Sequence, residues 1–133
     1  VEFDSVCYKA AECQANYQMV NKVCGHLQKT PGFETMGQRL KFFGRRNYSF
    51  AGEVCAAIAV NVKIGDTTYY EKLATKIVEG WKKSPSHNEV LIDPHYKYAA
   101  VCCKIEKKPF QLNLEQDKKP QKPTNIPSWM QKL

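Results

Sequence analysis

The sequence has no run of about 18 apolar residues, so no segment reads as a membrane-spanning helix. It has no C-x-x-C pair, which argues against a structural zinc site of the usual spacing. It has no G-x-S-x-G elbow, which removes a common signature of serine hydrolases. Internal repeats are absent. No nucleic-acid-binding module is recognisable and the lysines are dispersed, so nucleic acid is not an expected partner. Histidine is scarce: His26, His87 and His95 are the three in the chain. Position 1 is Val rather than Met, which sets the expectation that the chain starts after a processed secretion signal.

What is present suits one domain with one core: 133 residues, 43% apolar and 25% charged. A net charge of +7 favours solubility and a general attraction to anionic surfaces. Residues 104–133 carry seven lysines against three acids, about half of that excess. Cysteine is plentiful at six: Cys7, Cys13, Cys24, Cys55, Cys102 and Cys103. An even count in a processed chain points to disulfides and a secreted, extracellular setting, with the pairing left open. Buried free thiols are the plain alternative. Asn47-Tyr48-Ser49 is a candidate glycosylation sequon.

Along the chain, residues 3–24 read as an amphipathic helix. Phe3, Val6, Ala10, Cys13, Tyr17, Val20 and Cys24 recur at steps of three and four, and Gly25 is its C-terminal stop. Glu34 to Phe43 reads as a short helix with Met36, Leu40 and Phe43 on one side. "YSFAGEVCAAIAV" reads as a small-residue strand with a single acid, Glu53, which faces solvent or is buried with a partner. Asp66 or Thr67 caps a third helix, its stripe running from Tyr69 through Leu73 and Ile77 to Trp81. Pro85 stops that helix, and "SHNEVLI" reads as one short turn. "YKYAAVCCKI" reads as a strand, residues 106–108 as a hairpin turn, and "PFQLNLEQ" as an alternating partner strand. From Asp117 a basic, proline-rich arm carries Trp129 and Met130, which would dock it to a surface. The expected class is α+β with a short, mostly antiparallel sheet. The expected organisation is a domain over residues 1–116 and a tail over 117–133.

The groups able to do chemistry are few. His26 and His87 each follow a helix end, and Glu53 and Glu89 are the acids closest to them in type and place. Two converging imidazoles, with water completing the shell, suit a divalent cation such as zinc, and a carboxylate can orient an imidazole from behind. A cysteine nucleophile beside His87 is conceivable, but six cysteines with a disulfide role dilute that reading.

"GWKKSPSHNEVLIDPHYKYAAV" resembles the CAP superfamily of cysteine-rich secretory, antigen 5 and pathogenesis-related proteins. It is similar to the branch whose motif reads W-x-x-S-P-G-H-R-x-x-L-L-x-P-x-Y-x-x-I-G-V. Trp81, Ser84, Pro85, His87, Leu91, Pro94, Tyr96 and Val101 fall in register. "YSFAGEVCAAIA" resembles the family's Y-x-x-A-G-E-N-I-A, and "MGQRLKFFG" its x-x-R-L-x-x-x-G. The matches run in family order from about Ala10 to Leu114. The resemblance implies an α-β-α sandwich around a central antiparallel sheet, and a cleft of two histidines and two acids that holds a divalent cation in several relatives. His26, Glu53 and His87 carry over by position. Ser84 stands where many members have the second acid, which implies a weak or vestigial cation site. Val54 and Ser86 replace the Asn of G-E-N and the Gly of S-P-G-H, while Ala100 and Cys102 replace two strand glycines. The family's first helix has no counterpart. The face it leaves would be covered by the tail or a partner, with oligomerisation through either.

Three functions follow. The first is a secreted, non-catalytic module that binds a lipid, a sterol or a protein partner. The second is a structural subunit of an extracellular assembly. The third is a metal-dependent hydrolase using His26, His87 and a bound water, with Glu53 as base. The expectation is that the chain is not an enzyme.

Overall fold

The computed structural model describes residues 1–58 and 65–106. Strand β1 (Glu2–Phe3) leads into α1 (Ser5–Asn21), followed by α2 (Met36–Phe42), α3 (Thr67–Lys83), α4 (Pro85–Ile92) and strand β2 (Tyr98–Ala99). Helix and strand are mixed, as the α+β class requires, but helix dominates.

Local chemistry accounts for the helix ends. The Asp4 carboxylate accepts from the Cys7 amide at 2.8 Å and starts α1. Arg45, from the loop after α2, pairs with the same carboxylate and joins the two helices. Lys22, at φ 56°, closes α1 in the left-handed conformation. Thr35 and Gln38 form a reciprocal capping box at the start of α2. Asp66 caps α3 by accepting from the Thr68 amide at 3.0 Å. Ser84 ends α3 in extended backbone and Pro85 opens α4 at once, in the first-turn position where its missing N–H is harmless.

Four expectations are corrected. β1 and β2 pair parallel, with Glu2 opposite Tyr98 and Phe3 opposite Ala99. The sheet described is therefore two-stranded and parallel, not antiparallel, and the central layer of a sandwich is not seen among the described residues. Its partners lie 96 residues apart, where no hairpin turn can dictate direction. Phe3 belongs to this strand and not to the first helix. "SHNEVLI" is no single turn but most of an eight-residue helix, because Pro85 pre-sets the helical φ of a new start. Within residues 51–58 the expected strand is reduced to an isolated bridge at Ala57. The hairpin turn from residue 107 on, the strand "PFQLNLEQ", the tail from Asp117 with Trp129 and Met130, and the boundary at 116/117 lie outside the described residues.

The buried side of α1 also differs from the expected stripe. Ala10, Gln14, Ala15 and Gln18 are buried, whereas Phe3 and Val20 are more than 70% exposed. The glutamines face inward because the loop after α1 offers them carbonyls. Gln14 Nε2 and Gln18 Nε2 donate to the Gly25 carbonyl at 2.7 and 2.9 Å, and Gln28 Nε2 donates to Gln14 Oε1 at 2.9 Å. A buried amide must be satisfied, and here each one fixes the loop that carries His26. Next to this polar layer sits a small apolar cluster of Ala57 and Leu73, flanked by Met19, Cys24, Ile58 and Ile77. It fastens α3 beneath the residue 51–58 segment. Burial of Leu73 contributes roughly 2 kcal/mol.

Candidate functional site

Four pieces of chain converge: the loop after α1 with His26, α2 with Arg39, the segment with Glu53 and Cys55, and α4 with His87. Arg39 is the pivot. Its side chain is fully buried, and its guanidinium donates from Nη2 to both Glu53 oxygens, at 3.1 and 2.8 Å. The same group donates to the His26 carbonyl at 3.2 and 3.3 Å and to the Phe33 carbonyl at 3.1 Å. Glu53 is thus largely covered and paired, the closer of the two outcomes its sequence context allowed.

Glu53 Oε1 lies 3.0 Å from His26 Nδ1. A carboxylate paired with arginine only accepts, so Nδ1 carries the proton and donates. The free lone pair of a neutral His26 is then on Nε2. This is the arrangement in which an outer carboxylate orients a ligating imidazole. The His26 ring is half exposed, whereas Glu53 is largely covered.

Cys55 closes the group on the inner side. Its Sγ lies 3.6 Å from His26 Nδ1, and the ligand atoms of His26, Glu53 and Cys55 all fall within 4.8 Å of one another. The trio has metal-ligand chemistry, yet its atoms are already committed. Nδ1 serves Glu53, Glu53 serves Arg39, and a cation at their centre would face the Arg39 guanidinium. Burial, then the Glu53 charge and then Cys24 push the Cys55 thiol up to about 12. Its burial disfavours the thiolate, so it reads as a core thiol.

His87 reaches the same region from α4. Its Nδ1 lies 2.6 Å from Ser84 Oγ, with Ser86 Oγ at 3.4 Å. Burial and then the neighbouring His26 hold its pKa below the usual histidine range, which keeps the ring neutral and its nitrogen available to a cation. Ser84, at the position of the expected second acid, makes no side-chain cap on α4 and instead orients His87.

Three contacts set the distance between the two arms. Trp81 Nε1 donates to the Cys55 carbonyl at 3.2 Å, tying the end of α3 to the Glu53 segment. Gly52 passes directly under the Tyr96 hydroxyl and Val90, where a Cβ would lie 2.9 Å from Val90 Cγ1. Phe50 stacks on His95 with ring centroids 4.8 Å apart, and Asp93 Oδ1 accepts from the His95 ring at 2.7 Å.

The structure therefore brings together His26, Glu53 and Cys55, with His87 close enough on α4 to feel the His26 charge. Glu89 is exposed on α4 and makes no hydrogen bond to this group among the described residues. Asn47 is exposed in the loop after α2. All six cysteines, Cys7, Cys13, Cys24, Cys55, Cys102 and Cys103, are thiols, and Cys55 is the one buried. Arg39 went unrecognised as a site residue. The signal was present, since Met36, Arg39 and Phe43 keep helical spacing and so place an arginine on the apolar side of α2. No family model, no curated protein and no solved structure matches this chain.

Proposed function

We propose that the chain is a secreted, non-catalytic binding module of CAP type, with a two-histidine cleft that takes a divalent cation weakly. One observation carries this reading: Glu53, anchored by buried Arg39, holds His26 by Nδ1 and leaves its Nε2 free, while His87, held neutral, lies near enough to feel the His26 charge. Two imidazoles with water make an incomplete first shell for zinc, so affinity is modest. The position of Ser84 agrees, because it orients His87 where an acid would add an anionic ligand.

Catalysis is disfavoured by the same geometry. Glu53 is occupied by Arg39 and His26 and is not free to act as a base on bound water. The even cysteine count and the exposed sequon at Asn47 support a secreted setting, and a protein surface or a lipid is the ligand class the resemblance implies. A structural role in an assembly draws on the exposed Val20, Leu27, Phe42 and Val101. Light scattering separates a self-assembling chain from a monomeric binder.

The cleft is tested by calorimetric zinc titration after the thiols have been blocked with iodoacetamide. Native protein should bind one zinc near pH 7.5, and His26→Ala or His87→Ala should each weaken it at least tenfold. Affinity should fall below about pH 6, since protons compete for imidazole. No binding by the native protein, or equal binding by the variants, overturns the site.

A further inference from the structure

Cys24 and Cys55 lie on the two arms of the cleft in mirrored positions. His26 follows Cys24 by two residues, and Glu53 precedes Cys55 by two. A short series of contacts bridges the two sulfurs. Cys55 Sγ lies 3.5 Å from the Gly25 carbonyl oxygen, which accepts from Gln18 Nε2 at 2.9 Å, and that same Nε2 lies 3.8 Å from Cys24 Sγ. Cys24 also packs against the cluster of Ala57 and Leu73, the first of which lies two residues beyond Cys55. The series runs through one glutamine amide of α1 and one backbone carbonyl.

We infer that Cys24 and Cys55 form a disulfide that staples the His26 arm to the Glu53 arm. The step is ordinary thiol–disulfide exchange. Each thiol gives up a proton, the pair gives up two electrons, and oxidised glutathione or an equivalent disulfide takes them and leaves as two thiols. The bond closes a loop that includes Arg39, so it covalently joins the backbone on both sides of the buried guanidinium.

The staple rests on the proposed cleft for its consequence but not for its chemistry, and two measurements keep them apart. The first is peptide mapping without reduction, on full-length protein refolded in a reduced and oxidised glutathione mixture and trapped at acid pH. The expected product is one linked peptide pair carrying Cys24 and Cys55, lost on reduction. Cys55 joined to any other cysteine, or both residues alkylated as thiols after full oxidation, overturns the inference. The second is zinc titration of the oxidised native protein against a Cys24→Ser/Cys55→Ser variant, the other thiols blocked in both. The variant should bind about tenfold more weakly, because its His26 arm is no longer fixed to Glu53. Equal zinc affinity in the two proteins refutes the stapling role. A mapped Cys24–Cys55 bond with zinc binding in neither protein supports the pairing and sinks the cation reading alone.

Discussion

Arg39 is a large charged side chain with no exposure, and such a residue persists only when its donors are used. Glu53 and the carbonyls of His26 and Phe33 use them, while Nε stays without a partner. Removing the guanidinium would leave a largely covered carboxylate and two loop carbonyls unsatisfied. Arg39→Met should therefore lose about 3–5 kcal/mol in urea unfolding. Arg39→Lys should recover little of it, because an ammonium cannot present the planar fork that spans Glu53 and the loop. Combining Arg39→Met with Glu53→Gln should be less damaging than the two single losses added, since the stranded charge is gone. Strict additivity would show that the two residues do not act as a pair. His26, Glu53 and His87 were legible as types at particular chain positions. Arg39 is legible only as an arginine spaced with Met36 and Phe43, and that spacing does not show its role, because arginine on a helix is ordinary and burial is invisible in a single sequence. The glutamines of α1 hid for the same reason: polar residues at i and i+4 read as a solvent face until the loop carbonyls they serve are known.

The elements follow the same divide between local and distant information. α3 was legible almost to the residue, because Asp66, the stripe through Leu73 and Ile77, and Pro85 all act within a few positions. α4 is under-read from sequence, since Pro85 reads as a stop and is also a start. The β1–β2 ladder could not be read, because parallel pairing across nearly the whole described chain leaves no local signature. What α4 does is hold the Glu53 segment from above through Val90 and, just past its end, Tyr96. Gly52 makes that close approach possible. Gly52→Ala should lower stability by about 1–3 kcal/mol, as overpacking does. Adding Tyr96→Phe should restore part of the loss, because the hydroxyl is the nearest obstacle. If Gly52→Ala is neutral, α4 does not press on the segment as described, and His87 loses its positional support.

For the whole molecule, the charges that anchor its ends respond to pH in two separate ranges. His87 is held below the ordinary histidine value by burial first and His26 second. Unfolded, it takes a proton near ~6.5, whereas folded it resists until lower pH. Between those values the unfolded chain binds more protons, so stability must fall as pH drops below about 6.5. Asp4 and Asp93 are shifted down chiefly by backbone amides, of Cys7 and His95 respectively. Their contribution is present above about pH 4 and is lost as pH falls through their folded values. Asp4 starts α1 and Arg45 binds it, so protonation there loosens the α1–α2 pair, while protonation of Asp93 loosens the turn that stacks on Phe50. Urea midpoints followed from pH 7.5 to 3, with chelator present to exclude metal, should thus decline in two stages. His87→Gln should flatten the upper stage and leave the lower one. Asp4→Asn should start from a lower plateau and soften the lower stage alone. An upper stage that survives unchanged in His87→Gln would assign it to another group and would remove the support that a neutral His87 gives to the cation site.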